Sequence, residues 1–323
     1  GGVVGAFYTA LQAGYPDIIT LDMGGTSTDV SLCPGVIKET TGSNVGGYPI
    51  SVPMIEIHTV GAGGGSIARV DAGGALVVGP QSAGADPGPA CYGMGDQLTV
   101  TDANLVLGYL DRASFLGGNF DLSLPDAEAA IVEGVSEKLD LPLARSAWGI
   151  HDVVNEGIAR AFRIHASERG VDYRNSAIVA FGGSGPIHAV AVARKLRAPQ
   201  VIFPVGAGVM SAFGLLASPL TFEVLQGKQV FLDRLTLEAF VEAFDRLMAA
   251  SSQALVGAGV ASSDIKYRLR LDMRYAGQGH AIEVALPEQR SLVEIFPTIE
   301  ERFAERYAGP YAPVGPEAPG ALT

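Results

Sequence analysis

The sequence has very little cysteine. Cys33 and Cys91 are the only two among 323 residues, too few for a disulfide framework or a zinc cluster. A chain of this kind is typical of a reducing compartment, so we expect the protein to be cytoplasmic. The opening residues also lack the basic segment that begins an export signal. Nothing in the sequence therefore predicts secretion.

Clusters of positive charge and long apolar runs are missing as well. The 22 basic residues are outnumbered by 34 acidic ones, which gives a formal net charge of −12. Nucleic acid and anionic membranes are therefore not expected as partners. No uninterrupted apolar stretch reaches the roughly 18 residues that a membrane span needs.

What the chain does contain is enough apolar sequence for a large core. Hydrophobic residues make up 48% of it, and the mean hydropathy is +0.27. A chain of this length and composition predicts two domains. The chain has 42 glycines and 19 prolines, and 11 of the glycines and 3 of the prolines lie between Gly61 and Gly95. We expect this segment to form shaped loops that belong to a packed protein.

The most informative segment is LDMGGTSTD, residues 21–29, which follows the apolar run IIT. Glycines after a strand let backbone N–H groups approach an anion, and hydroxyl groups add further donors. Carboxylates hold a hard cation such as Mg²⁺ directly or through water. The same residues are also compatible with an ordinary hairpin turn that joins ITLDM to TDVSL.

A second segment favours the phosphate interpretation over the turn. In IVAFGGSGPIH, residues 178–188, an apolar run again ends in glycines. Pro186 stands where a helix starts, and the periodic segment AVAVARKL follows it. Two strand-to-glycine junctions in one chain indicate two sides of one nucleotide.

Hydrophobic periodicity predicts an α/β layer followed by a smaller α+β unit. We expect strands at 17–22, 27–33, 50–60, 177–181 and 200–203, with a long helix from Ser146 to Arg169. Further helices are expected at 6–13, from Thr101, from Pro125, at 186–196 and at 208–217. The sequence pattern changes at 224–230. After it we expect helices at 235–256 and 291–307 and strands at 265–275 and 280–286.

The glycine segments resemble those of a known superfamily. DMGGTSTD has the D-x-G-G-x-x-x-D form of the second phosphate loop in the actin, Hsp70 and sugar-kinase ATPases, and FGGSGP is similar to their adenosine loop. The flanking text resembles the hydantoinase A and 5-oxoprolinase family, which includes ATP-binding subunits of N-methylhydantoinase and of acetone and acetophenone carboxylases. The segments that carry this resemblance run in family order: IHTVGAGGGSIARVD (57–71), VGPQSAGADPGPACYG (78–93), TVTDANLVLGYL (99–110), SERG (167–170), FGGSGPIHA (181–189) and DMRYAGQ (272–278).

The resemblance implies a fold and a domain layout. The fold is α/β, the second lobe of an actin/Hsp70-like (ribonuclease H-like) ATPase, with a small C-terminal α+β unit. We place the lobe at 1–225, with a Gly/Pro-rich insertion at about 60–98, and the α+β unit at 226–323, truncated at its C-terminus. The first phosphate loop of the family has no copy here. We therefore expect a fragment without its N-terminal lobe that binds ATP weakly and is inactive alone.

The resemblance also implies roles for the first glycine segment. Gly24 and Gly25 are expected to offer backbone N–H groups to phosphate, and Asp22 to orient Mg²⁺ through water. Thr26 and Thr28 either contact a phosphate oxygen or fill the strand. Asp29 either reaches the metal or is a carboxylate on the solvent side.

The second glycine segment is expected to face the base and ribose of ATP. Gly182, Gly183, Ser184 and Gly185 bring backbone close to a flat ring without intervening Cβ atoms. His188, on the helix that follows, is expected to be packed or capping and not catalytic.

Other polar residues have open roles. His58 runs into GAGGGS, residues 61–66, and either acts as a general base or substrate contact, while these glycines accept another anion, or hydrogen-bonds its own loop. Of Arg163, Glu168 and Arg169 we expect one to meet the nucleotide, unless all form a solvated face. Asp71, Asp86, Asp102 and His58 lack metal-ligand spacing, so no transition-metal site is expected.

The family implies an activity, which we take as the leading hypothesis. It is an ATP- and Mg²⁺-dependent hydrolysis of a cyclic amide such as a hydantoin or 5-oxoproline, in which phosphorylation activates the amide carbonyl. Water attack is expected from a hydantoinase B-type subunit or domain, so the enzyme is expected to be a hetero-oligomer. The alternatives are an ATP-binding subunit of a ketone carboxylase and a chaperone-like ATP-responsive module.

Overall fold

The computed structural model describes residues 1–40, 42–45, 47–50, 54–288 and 290–308. These residues form two compact units, Gly1–Ser218 and a second unit from Pro219 onward. In the described part of the chain, no helix has both the length and the hydropathy of a membrane span.

Thirteen strands are present in the described residues. They are β1 Asp17–Met23, β2 Thr28–Pro34, β3 Glu39–Thr40, β4 Ser43–Val45, β5 Tyr48–Ile50, β6 Met54–Ile55, β7 His58–Val60, β8 Ser66–Val70, β9 Leu76–Ser82, β10 Ala177–Phe181, β11 Val201–Ile202, β12 Arg270–Met273 and β13 Ile282–Ala285. The strand expected at 50–60 is divided among β5, β6 and β7, and residues 51–53 lie outside the described residues.

The helices occur in the predicted order and close to the predicted positions along the chain. They are α1 Gly2–Gln12, α2 Val100–Val106, α3 Leu124–Ile131, α4 Glu137–Leu139, α5 Leu143–Glu168, α6 Gly185–Leu196, α7 Met210–Ala217, α8 Leu237–Gly257, α9 Leu292–Ile295 and α10 Ile299–Ala308. A short π-helical stretch, Val132–Ser136, joins α3 to α4.

A five-stranded mixed sheet is the centre of the first unit, in the order β11, β10, β1, β2, β7. Strand β1 runs parallel to β10 and antiparallel to β2, and β2 is antiparallel to β7. Because side chains alternate along a strand, β1 supplies both faces of the sheet. Its residues Ile19, Leu21 and Met23 face one buried cluster, and Ile18 faces another.

Helix α5 covers one face of this sheet. Its buried residues Ile150, Val154, Ile158 and Phe162 recur at four-residue steps, the spacing that keeps side chains on one helix face. These residues pack with the β1 and β2 side chains in the largest buried cluster. The long helix expected from Ser146 to Arg169 is confirmed, although it begins earlier, at Leu143. Helix α1 lies on the opposite face, in the cluster of Ile18 and Phe181.

The Gly/Pro-rich insertion contains the β8–β9 hairpin, and helix α2 follows it. The α2 N-cap is Thr99, and the buried Asp102 carboxylate completes a capping box with it. Asp102 Oδ2 accepts from the Thr99 N–H and hydroxyl at 2.7 and 2.8 Å, and Oδ1 accepts from the Cys91 N–H at 2.7 Å. One carboxylate thus fixes the end of the insertion to the start of α2.

The second unit is the small α+β arrangement that the sequence predicts. Helix α8, the antiparallel β12–β13 pair and helix α10 enclose a core of Phe240, Phe244, Ile295 and Phe303. The two strands are shorter than the predicted ranges.

Candidate functional site

Two glycine loops meet at one edge of the central sheet. Because β1 and β10 are parallel, the segments that follow Met23 and Phe181 leave the sheet at the same edge. The Ser184 N–H donates to the Met23 carbonyl at 2.8 Å, which ties the two loops together. Gly182 has a φ of +83°, and a Cβ there would lie 2.5 Å from Asp22 Oδ1. Only glycine fits this conformation and this close approach.

The first loop presents two unpaired amides. The Gly24 and Gly25 carbonyls accept hydrogen bonds from the Gly64 and Gly65 N–H groups, at 3.0 and 2.6 Å. In a planar trans peptide the N–H points opposite to the carbonyl, so the Gly25 and Thr26 N–H groups point away from Gly64 and Gly65. Neither has a hydrogen-bond partner among the described residues. Successive amides of this kind form an anion-binding concavity.

The glycines of residues 61–66 support this loop. The Gly64 and Gly65 amides are used in the bonds just described, and the Gly63 N–H donates to Ser66 Oγ at 2.8 Å. These three amides are therefore not available to bind another anion, which was one of the roles predicted for the glycines of residues 61–66. The buried Thr28 hydroxyl donates to the Ala62 carbonyl at 2.5 Å. Of the two roles predicted for Thr28, this favours a packed strand residue over a phosphate contact.

Asp22 and Asp29 face each other across β1 and β2. Asp22 Oδ2 accepts from the Ser211 hydroxyl at 3.4 Å, and Asp29 Oδ1 accepts from the Thr59 hydroxyl at 2.7 Å. Burial raises the pKa of Asp22 above its usual value. The charge of Asp29 raises this pKa further, while the Ser211 hydroxyl opposes the shift.

This carboxylate pair suits a hard divalent cation. Among the described ion pairs, none includes Asp22 or Asp29, so their mutual repulsion is not neutralised by a basic side chain. Mg²⁺ is bound through one or two carboxylates and keeps several waters. In the described chain no three His, Cys, Asp or Glu side chains group as metal ligands, so the pair would hold such an ion partly through water.

His58 is not brought to these carboxylates. It pairs with Val30 on β2, and Thr59 pairs with Asp29. Since neighbouring residues of a strand point to opposite faces, His58 lies on the α5 face, whereas Asp22 and Asp29 lie on the α1 face. The His58 ring stacks on His165 of α5, with centroids 5.4 Å apart.

A cleft of about 500 Å³ adjoins both glycine loops. One end consists mainly of glycine backbone with hydroxyl groups, and the other carries aromatic and aliphatic side chains. Its lining includes one acid, Asp111, and no lysine, arginine or histidine. The lining residues are Gly25, Gly64, Gly65, Gly84, Tyr92, Thr101, Asn104, Tyr109, Leu110, Asp111, Ser114, Phe115, Leu116, Gly183, Ser184 and Ile187. Asp22 lies outside this lining, on the α1 face of the sheet.

A buried polar network lies behind the cleft. His188 Nδ1 donates to Asn155 Oδ1 at 2.8 Å, and His188 Nε2 accepts from Asn104 Nδ2 at 3.0 Å. His151 Nδ1 donates to Asn104 Oδ1 at 2.8 Å. Burial, with a smaller contribution from the neighbouring His151, lowers the pKa of His188 to about 3. His188 is thus a neutral packed histidine, as the sequence favours.

The charged residues of α5 have partners away from the cleft. Arg163 donates to Glu156 Oε1 at 2.8 Å and to the Lys195 carbonyl at 2.9 Å, and Arg169 forms an ion pair with Glu56. Neither they nor Glu168 line the cleft.

Sequence reasoning missed several residues of this site. Ser211 reaches Asp22 from 189 positions away, and no local pattern indicates such a contact. Thr101 and Asn104 are cleft residues within the segment TVTDAN, which the sequence analysis used as a helix start and as part of the family resemblance, without a role for either residue. The signal available in the sequence is the run of polar residues at the start of a helix that continues with the apolar residues LVL.

Comparison with known proteins identifies relatives over nearly the whole chain. A sequence profile of the hydantoinase/oxoprolinase family matches residues 1–224. Caprolactamase subunit alpha of Pseudomonas jessenii is 36% identical over 95% of this chain and 45% of its own length. Acetophenone carboxylase gamma subunit of Aromatoleum aromaticum is 32% identical over 95% of this chain and 44% of its own length. The Arabidopsis thaliana 5-oxoprolinase 1 is 35% identical over 88% of this chain and 24% of its own length.

Two solved structures share the fold. Nucleotide-free acetone carboxylase superposes with a TM-score of 0.81 and 26% identity, over 96% of this chain and 46% of that one. The ATP-dependent caprolactamase of Pseudomonas jessenii superposes with a TM-score of 0.73 and 34% identity, over 99% of this chain and 47% of that one. The predicted α/β fold is thereby confirmed. The chain spans less than half the length of these relatives.

Proposed function

Because the chain belongs to the hydantoinase/oxoprolinase family, we propose that it carries the ATP-binding part of an enzyme that hydrolyses cyclic amides. The observation that supports this most is the joining of two glycine loops at one sheet edge, through the hydrogen bond from Ser184 to Met23. One loop offers two unpaired amides, and the other borders a cleft with an aromatic end.

In this proposal the nucleotide spans both loops. The γ- and β-phosphates lie at the Gly25 and Thr26 amides, since an anion is best held there by backbone donors. Gly182 to Gly185 and the aromatic end of the cleft, with Tyr109 and Phe115, take the ribose and the flat base. The cleft volume of about 500 Å³ is in the usual range for a ligand of this size.

The Asp22 and Asp29 carboxylates are the proposed holders of Mg²⁺, with Asp22 acting through water. Bound there, Mg²⁺ supplies charge neutralisation to the phosphates. Asp22 is kept in place by the Ser211 hydroxyl and by contact with the Gly182 backbone. His58, which lies on the other face of the sheet, has no part in this proposal.

The proposed reaction makes a poor electrophile reactive. An amide carbonyl is stabilised by resonance, so its oxygen first attacks the γ-phosphorus of ATP, forming an O–P bond while the bond to ADP breaks. Water then adds to the activated carbon and the C–N bond of the ring opens, which leaves an acyl phosphate. A second water attacks the carbon of this acyl phosphate, and the original amide oxygen leaves with phosphate. The residues of this chain contribute positioning and electrostatic stabilisation to the first step.

The water attack is assigned to a partner. Relatives of this chain are named as subunits, caprolactamase subunit alpha and acetophenone carboxylase gamma subunit. We therefore propose a hetero-oligomer in which a hydantoinase B-type subunit or domain performs the hydrolysis.

A substrate panel tests this function. The assembled enzyme is supplied with Mg²⁺ and ATP, and phosphate release is measured with a hydantoin, 5-oxoproline, caprolactam, or acetone plus bicarbonate. We expect at least one cyclic amide to stimulate ATP hydrolysis. Stimulation by the ketone alone would replace this proposal with a carboxylase, and binding of ATP without any substrate-stimulated turnover would favour a non-catalytic module.

A further inference from the structure

Thr101 of α2 makes two hydrogen bonds to a single carbonyl. Both its N–H and its hydroxyl donate to the Gly64 oxygen, at 2.7 and 2.8 Å. Thr101 is buried, so neither bond competes with bulk water. This double attachment fixes Gly64 more firmly than one backbone bond would.

Gly64 in turn is joined to the phosphate loop. Its N–H donates to the Gly24 carbonyl, on the peptide whose own N–H is that of Gly25. The contact is backbone against backbone, because a Cβ on the adjacent Gly63 would lie 2.5 Å from the Gly25 oxygen. A shift of Gly64 therefore moves the peptide that carries one of the two anion-binding amides.

Helix α2 is itself held at both sides of Thr101. The neighbouring Asp102 carboxylate accepts three hydrogen bonds from Thr99 and Cys91. Asn104 bonds to His188 of α6, the helix that starts directly after the second glycine loop. Thr101 thus stands on a rigid element that is connected to both loops of the site.

We propose that Thr101 is a positioning residue for phosphoryl transfer, which acts through Gly64 on the phosphate loop. The inference rests on the proposed ATP-binding function. Its consequence is a particular kinetic signature, because misplacing a loop that must face the transferring phosphoryl group slows the chemical step more than it weakens binding.

The test compares Thr101→Val with Thr101→Ser in the assembled enzyme. Valine keeps the shape and the N–H but removes the hydroxyl donor, and serine restores that donor. We expect Thr101→Val to lower kcat about 5- to 10-fold, the usual effect of one hydrogen bond, with the KM for ATP within about 2-fold of wild type. Thr101→Ser should have near wild-type kcat. Thr9→Val, which removes a hydroxyl that donates to the Gly5 carbonyl in α1, is the matched control and should leave kcat unchanged.

The outcomes separate this inference from the function on which it rests. If wild type shows no ATP turnover, the proposed function fails. If wild type turns over and Thr101→Val matches it, or raises KM for ATP instead of lowering kcat, the positioning role fails. The same holds if Thr101→Ser loses as much activity as valine.

A second variant covers the case in which Thr101→Val does not fold. Gly63→Ala places a methyl group against the Gly25 carbonyl and should lower kcat at least 10-fold with an unchanged circular dichroism spectrum. Gly157→Ala, on α5 with open space around it, is its control. Wild-type kcat in a folded Gly63→Ala protein would overturn the proposal.

Discussion

At the scale of single residues, Asp22 combines an unfavourable environment with the proposed catalytic role. Its pKa is raised, first by burial and second by Asp29. A carboxyl group with a raised pKa stabilises the fold at acid pH, and this contribution is lost as the pH rises through the folded-state value. The environment of Asp22 therefore opposes its ionisation, which is the pattern expected of a carboxyl group with a functional role.

Asp22→Asn should consequently separate stability from activity. We expect a melting temperature at pH 7.5 equal to or above that of wild type, a smaller difference at acid pH, and ATP turnover lowered about 100-fold or more because the cation is no longer held. Thermal unfolding and phosphate release measure the two effects. Asp17→Asn, at the exposed start of β1, is the matched control. A destabilised Asp22→Asn protein, or one with full turnover, would contradict the assignment.

Ser211→Ala tests the Asp22 carboxylate by removing the hydroxyl group that donates to it. The Ser211 hydroxyl favours the charged form of Asp22, so its removal should raise the pKa of Asp22 further. The acidic limb of the pH profile of kcat is then expected to move to higher pH. Ser218→Ala, whose hydroxyl donates to the Gly214 carbonyl on the same helix, should leave the profile in place. An unshifted limb in Ser211→Ala would show that this contact does not influence the reaction.

At the scale of elements, helix α5 stabilises the sheet that carries both loops. Phe162 is 1% exposed and belongs to the largest buried cluster. Phe162→Ala should lower the free energy of unfolding by about 3–5 kcal/mol, because a buried cavity adds to the lost transfer energy. Urea unfolding measures this change. Arg160→Ala, on the exposed side of α5, should change stability by less than about 0.5 kcal/mol, and an equal loss in both variants would show that α5 is not anchored through its apolar face.

Elements with a strong period were predictable from the sequence. Strands β1 and β10 are marked by continuous apolar runs, and helix α5 is marked by apolar residues at steps of three and four. Both glycine loops follow directly from these two strands. The face on which His58 lies was not predictable. It depends on the pairing of β7 with β2, and a change of register by one residue reverses every side chain.

The role of the glycines at 63–65 was hidden for a different reason. A glycine-rich segment is equally compatible with binding an anion and with close packing of two backbones. Only the partners of its amides decide between these: the Gly64 and Gly65 amides donate to the carbonyls of Gly24 and Gly25, and the Gly63 amide donates to Ser66 Oγ. Ser211 was missed because contacts between distant segments leave no local pattern.

At the scale of the whole molecule, the site residues described here all lie in the unit Gly1–Ser218. The family match covers the same region, residues 1–224. The chain spans 45% of the length of caprolactamase subunit alpha. The boundary placed at 225/226 from the sequence stays a prediction.

The central claim is that ATP phosphorylates the amide oxygen of a cyclic substrate at this site. It is tested most directly by supplying the assembled enzyme with ATP and 5-oxoproline or caprolactam labelled with ¹⁸O at the amide carbonyl, and analysing the products by mass spectrometry. Because the amide oxygen leaves with phosphorus, the account predicts ¹⁸O-labelled inorganic phosphate. Unlabelled phosphate, with the ¹⁸O retained in the product carboxylate, would contradict it.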